Sequence, residues 1–108
     1  MDFSIHSTLE KSAAVIQAVW EKGAVAPGND ANVYRKDECG AWVCRNQYGD
    51  RNAKYGWEID HIRPVSEGGS DVLSNLRPLF WRNNAERQDG RLTCPFTALG
   101  TENVRRTR

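Results

Sequence analysis

Residues 56–91 read GWEIDHIRPVSEGGSDVLSNLRPLFWRNNAERQDGR, and the fold depends on how this run is divided. WEIDHIRPV is rich in β-branched and aromatic side chains, which predicts a strand that Pro64 either ends or confines to a sheet edge. Ser66 to Asp71 reads as a loop whose two glycines permit a tight excursion of the backbone. Leu76 to Phe80 predicts a second, brief strand, and Trp81 to Asp89 predicts a helix with Gly90 just past its end. The expected order is strand, loop, strand, helix.

Upstream, Ser7-Thr8-Leu9-Glu10 has the spacing of a capping box, and Leu9, Ala13, Ile16 and Trp20 then follow at steps of four, three and four. The pattern predicts an N-terminal helix over about residues 8–22, within a segment 7–23 closed by Gly23. Its apolar stripe suits a core; its exposed part is the expected surface if the chain forms a homodimer. AVAPGND is a loop, and two short strands are expected around residues 33–36 and 41–45, joined by a turn at 37–40. Residues 46–56 are polar and turn-rich. The last eight residues, TENVRRTR, hold one apolar side chain and three arginines, so residues 97–108 are expected to form a flexible tail.

A chain of 108 residues is enough for one domain with its own core. Its 39% hydrophobic and 27% charged residues fit a globular domain and exclude a disordered tail. No apolar run approaches the roughly 20 residues that cross a bilayer, and the N-terminus lacks a basic leader, so a cytoplasmic protein without export is expected. Three cysteines, at 39, 44 and 94, are read as thiols in a reducing compartment. The net charge of +1 does not point to nucleic acid, but from residue 77 onward seven arginines face three acids. That local surplus is either a solvated face or a phosphate-binding one.

Four polar residues of the second half stand beside strand-like anchors: Asp60, His61, Asn75 and Asn84. His61 precedes Asn75 by 14 residues and Asn75 precedes Asn84 by 9. In the frame IDHIRPVSEGGSDVLSNLRPLFWRNNAER this combination resembles the HNH endonucleases of the His-Me finger, or ββα-metal, group. The resemblance spans about residues 56–91. It implies a small α+β domain built on a ββα-metal finger, with an N-terminal helix and a short additional β-hairpin. It also implies a metal-dependent endonuclease acting on double-stranded DNA with weak sequence preference. By that likeness His61 is the general base, Asp60 and Asn84 are the metal ligands, and Asn75 holds the active-site loop. Arg87 stands where relatives often carry lysine; with Arg63, Arg82 and Arg91 it is a candidate for phosphate contacts.

The residue types suit that chemistry on their own terms. Phosphodiester hydrolysis needs an activated water and a stabilised leaving oxygen on opposite sides of phosphorus, and adjacent strand residues point opposite ways. A neutral imidazole accepts a proton at cellular pH far better than a free carboxylate does. Carboxylate and amide oxygens are hard donors, suited to one magnesium or manganese ion completed by water and phosphate. Each residue also has a plainer reading: Asp60-His61 as a surface pair, Asn75 as a turn residue, Asn83 or Asn84 as a solvated helix position. Glu58 shares a strand face with Asp60 and is either a second acid near an ion or the partner of an arginine. Trp42, Trp57 and Trp81 are assigned to the core over base stacking.

Relatives often carry two Cys-x-x-Cys pairs that hold a structural zinc. Here Phe80 and Asn83 occupy the offsets of the second pair, and four ligands from Cys39, Cys44, Cys94 and His6 do not assemble readily, so structural zinc is not expected. A catalytically decayed nucleic-acid-binding module and an RNA-cutting or toxin-type nuclease remain the competing readings.

Overall fold

The hairpin expected within residues 57–80 lies at the centre of the computed structural model, which describes residues 11–88 and 90–107. Strand β4, Trp57–His61, pairs antiparallel with β5, Leu76–Phe80, in a register that sets Trp57 opposite Phe80, Asp60 opposite Arg77 and His61 opposite Leu76. Ahead of it run helix α1 (Ala13–Trp20), β1 (Ala24–Val25), β2 (Tyr34–Lys36) and β3 (Trp42–Cys44), with β1, β2 and β3 forming one antiparallel sheet. Helix α2 (Trp81–Ala85) follows β5 without a break, and β6 (Phe96–Leu99) pairs with β7 (Glu102–Arg105) in a last hairpin. The fold is a small α+β arrangement of short helices and three small sheets.

Alternation along β4 decides which side is core. Trp57 and Ile59 face α1, and Val19, Trp20, Ala41, Val43, Trp57, Leu76, Phe80 and Phe96 form one buried cluster. Each such large side chain taken from water stabilises the fold by roughly 1.5–3 kcal/mol. The Trp20 and Trp57 rings meet with centroids 5.3 Å apart, and the Trp20 indole N–H donates to the Ala31 carbonyl at 2.9 Å. Among the described residues no helix is long and apolar enough to cross a membrane.

Several expectations are corrected. Helix α1 starts later than residue 8: Lys11 and Ser12 are not helical, and the Ser12 hydroxyl caps the helix by accepting from the Val15 amide at 3.2 Å. The Ser7–Glu10 capping box lies outside the described residues. Helix α2 is a single five-residue turn that ends at Ala85, so Arg87 lies beyond it. Of the three tryptophans assigned to the core, Trp57 is fully enclosed and Trp81 packs against the cluster, but Trp42 is only half-buried. Trp42 stands with Tyr34 and Tyr55 at a small open cavity.

The tail assigned to residues 97–108 is instead the β6–β7 hairpin. What holds it is polar and therefore invisible to a count of apolar residues. The Asn103 side chain brackets the backbone of Trp42, accepting from its N–H at 2.6 Å and donating to its carbonyl at 2.9 Å. The Ala98 amide donates to Gly40 O at 2.9 Å, and Arg105 grips Glu86 with both nitrogens of its fork.

The reading of three free thiols is corrected too. Cys39 and Cys94, 55 residues apart, form a disulfide that ties the turn after β2 to the start of the last hairpin, leaving Cys44 as a buried free thiol. The odd cysteine count accommodates one bridge and one remainder, so it does not indicate a reducing compartment.

Candidate active site

The face of the β4–β5 hairpin turned away from Trp57 carries Glu58, Asp60 and Arg77, and α2 crosses it. The position of α2 is set from behind by Asp37. Its Oδ2 accepts from the Phe80 amide at 2.9 Å and from the Asn83 side chain at 3.0 Å; its Oδ1 accepts from the amides of Cys39 and Ala41 at 2.9 and 2.8 Å. Asn83, wholly buried, also donates to the Phe96 carbonyl at 3.1 Å and accepts from the Phe96 amide at 2.8 Å. Burial pushes the Asp37 carboxyl above its ordinary range against the pull of these four donors. With Asn83 locked inward, its neighbour Asn84 is turned toward β4.

Two rungs then join the end of β4 to α2 and the chain after it. In the first, the Asn84 amide nitrogen donates to Glu58 Oε1 at 2.7 Å, and Glu58 accepts a two-point grip from Arg51 at 2.5 and 2.8 Å. In the second, Asp60, only 3% exposed, accepts from Arg77 Nε at 2.7 Å through Oδ2 and from Arg87 Nη1 through Oδ1. Arg77 reaches on to Glu38 at 3.2 Å. A carboxylate so fully removed from water calls for paired counter-charges, and Asp60 has two guanidinium partners.

Burial alone would raise the Glu58 carboxyl, but hydrogen bonds from Arg51 and Asn84, with the Arg51 charge, outweigh it and hold the group below its ordinary value. The folded chain therefore binds this proton more weakly than the unfolded chain. The resulting stabilisation is complete above the unfolded carboxylate pKa and is lost as pH falls through the lowered folded value. Thermal melts of wild type and Glu58→Gln should differ by about 1 kcal/mol or less near neutrality, because Arg51 is exposed. That difference should shrink as the medium is acidified below the ordinary carboxylate range; a constant gap across the series would show that the charge on Glu58 contributes nothing.

His61, last in β4, faces the opposite way from Asp60. Its Nε2 lies 2.6 Å from Asp71 Oδ1, and Asp71 also meets Lys11 Nζ at 3.0 Å. A carboxylate accepts only, so Nε2 is the donor of this contact, and in the neutral ring Nδ1 is the acceptor. The connection between β4 and β5 is stapled by Asn75. Its Oδ1 accepts from the Arg63 amide at 2.8 Å, and its amide nitrogen donates to the carbonyls of Arg63 and Ser70 at 3.1 and 2.8 Å. The staple needs the loop to fold onto itself: a Cβ at Gly69 would lie 1.7 Å from the Arg63 carbonyl oxygen, and Gly68 has a φ of +89°. Asn75 thus fixes the loop that presents Asp71 to His61.

The structure pairs Arg87 with Asp60 and sets Asn84 on Glu58, two residues away on the same strand face, while His61 faces the other way onto Asp71 and Asn75 staples the loop that carries Asp71. Of the four arginine candidates, Arg63 and Arg91 are exposed and Arg82 is half-exposed, its guanidinium 4.2 Å above the Phe96 ring. Arg87 is turned inward onto Asp60. Sequence reasoning did not single out Asp71 or Asp37. Asp71 had a faint signal, an acid directly after Gly-Gly-Ser within reach of a histidine loop; Asp37 showed only as a turn residue, since the partners that tie it to α2 lie 43 and 46 residues away. Glu58 was weighed between acid and arginine partner, and it pairs with Arg51 while touching Asn84.

The donor set can be tested against a divalent cation. Among the described residues no group of three His, Cys, Asp or Glu side chains converges as a metal site. Asp60 with the Asn84 side-chain oxygen nevertheless offers the hard, sparse donors that magnesium and manganese accept when water and phosphate complete the shell. They fit such an ion, and the Arg87 guanidinium now occupies the Asp60 oxygen it would use. Arg87 Nε, buried without a hydrogen-bond partner, marks that guanidinium as imperfectly housed.

Compared with models of protein families, residues 39–89 match the family described as HNH endonuclease. No curated protein and no solved structure matches the chain.

Proposed function

We propose, from the match of residues 39–89 to the HNH endonuclease family model, that the chain is a metal-dependent DNA endonuclease that hydrolyses one phosphodiester bond per active site. The observation that carries the reading is the convergence of Asp60, Asn84 and Arg87 on one face of a hairpin whose last residue is His61. Asp60 and Asn84 would hold a divalent cation, magnesium or manganese, which would supply Lewis-acid stabilisation of charge on the phosphate and the leaving oxygen.

The side chains do the rest. Asp71 holds His61 through Nε2, leaving Nδ1 to take the proton of the attacking water. Asn75 keeps the loop between Arg63 and Ser70 closed, so that Asp71 and His61 do not drift apart. Glu58 orients the Asn84 amide by accepting from its nitrogen, which leaves the oxygen for the ion. Arg63, Arg82 and Arg91 reach toward the backbone phosphates of double-stranded DNA, giving binding that is salt-sensitive and weakly selective for sequence.

Nicking of supercoiled plasmid with magnesium, manganese, zinc or EDTA tests the reading directly. Relaxed circles are expected with magnesium or manganese and none with EDTA. Cleavage that EDTA leaves intact would reject a metal-dependent enzyme, and DNA binding without cleavage under every metal would favour the non-catalytic module. RNA cut in preference to plasmid would move the substrate class within the same family.

A further inference from the structure

We propose that Arg87 is the resident counter-ion of Asp60 in the metal-free protein and exchanges with the divalent cation, so that the arriving ion releases the Arg87 guanidinium toward the nucleic-acid phosphate. The inference rests on the metal-dependent reading above and adds to it a coupling between the ion and the phosphate.

The two arginines on Asp60 are not equivalent. Arg77 projects from the strand residue directly across from Asp60, donates through Nε to Oδ2 at 2.7 Å, and is held from its other side by Glu38 at 3.2 Å. Its position is fixed by the sheet. Arg87 comes from the irregular segment after α2. Its Nη1 donates to Asp60 Oδ1 and lies 3.3 Å from the His61 carbonyl, its Nη2 donates to Gly90 O, and its Nε is buried with no partner. Leaving this place gives the orphaned N–H back to water, whereas Arg77 would abandon a fully formed set of contacts.

Asp60, only 3% exposed, holds the Arg87 guanidinium on Oδ1 as a counter-charge of the kind a buried carboxylate requires. A divalent cation and a guanidinium cannot share that oxygen, because like charges a few ångströms apart repel strongly in a site shielded from water. Binding of the ion must therefore expel Arg87. The expelled side chain stays tethered three residues after Asn84, beside the ion, with a planar fork suited to a phosphate. The chain then opposes metal binding in the absence of substrate, and by reciprocity metal strengthens phosphate binding.

The test uses the full chain and manganese alone. Free Mn2+ measured by electron paramagnetic resonance should show Arg87→Ala binding the ion on the order of tenfold more tightly than wild type, with Arg87→Lys in between. Equal or weaker affinity in Arg87→Ala, including no binding at all, would overturn the proposal. Should that variant fail to fold by circular dichroism, wild type decides the matter through phenylglyoxal labelling read by mass spectrometry. Arg87 should react slowly without metal and several-fold faster with Mn2+, while Arg77 is unchanged; labelling of Arg87 that ignores Mn2+ overturns the exchange. The two readings separate cleanly. Exchange without plasmid cleavage leaves this inference standing and removes the nuclease, and cleavage with unchanged Arg87 labelling does the reverse.

Discussion

His61→Ala should lower plasmid nicking by roughly 10²–10⁴-fold, the usual contribution of a positioned general base, while the fold survives. The fold survives because the ring is a terminal strand residue whose described polar contact is with Asp71, an exposed carboxylate. Losing a pair of that kind destabilises by about 1 kcal/mol or less. A residual rate is expected, since the ion and the arginines still bind and polarise phosphate without the base. Asp71→Ala keeps the imidazole and loses only its orientation, so its defect should be smaller and should fall on turnover more than on DNA affinity. Gel quantification of nicked circles, with circular dichroism as the folding control, checks both variants. Wild-type nicking by His61→Ala would end the assignment of His61 as base.

What the sequence disclosed and what it hid divide along a physical line. The β4–β5 hairpin was legible because its signals are local: alternation of Trp57 and Ile59 with Glu58 and Asp60, a Gly-Gly loop, and a second apolar run at Leu76–Phe80. The polar residues of the candidate site were named through the resemblance of their spacing to the HNH nucleases, and the hairpin sets Asp60 and His61 on opposite faces as strand alternation expects. The β6–β7 hairpin was not legible. Its anchors are the Asn103 bracket on Trp42 and the Cys39–Cys94 bridge, contacts spanning 61 and 55 residues that no local pattern announces. Arg87 illustrates a third case. Its spacing from Asn84 placed it near the groove, but whether it faces solvent or Asp60 depends on the charge balance of a buried carboxylate. Sequence periodicity carries no information about that balance.

Asn83→Ala should destabilise the protein by about 3–5 kcal/mol, the range for breaking a buried hydrogen-bond network, more than any other single change at this site. Asn83 is fully buried and spends both ends of its amide: the nitrogen on Asp37 and the Phe96 carbonyl, the oxygen on the Phe96 amide. Alanine leaves both Phe96 backbone groups and one Asp37 oxygen short of a partner in a place water does not reach. Each such deficit costs about 1–3 kcal/mol, and the cavity adds to it. For a chain of this size the melting temperature should fall by roughly 12–40 °C at 4–8 °C per kcal/mol. Asn83→Asp should do worse than a loss of contacts, because it sets a second carboxylate against Asp37 where neither is solvated. The functional consequence follows from the packing. Asp37 and Asn83 hold the Phe80 amide and the first turn of α2 in place, and that turn carries Asn84 to Glu58. In Asn83→Ala protein cooled well below its melting point, manganese affinity should therefore still drop; wild-type manganese affinity in folded Asn83→Ala would show that α2 holds its position without this buried pair.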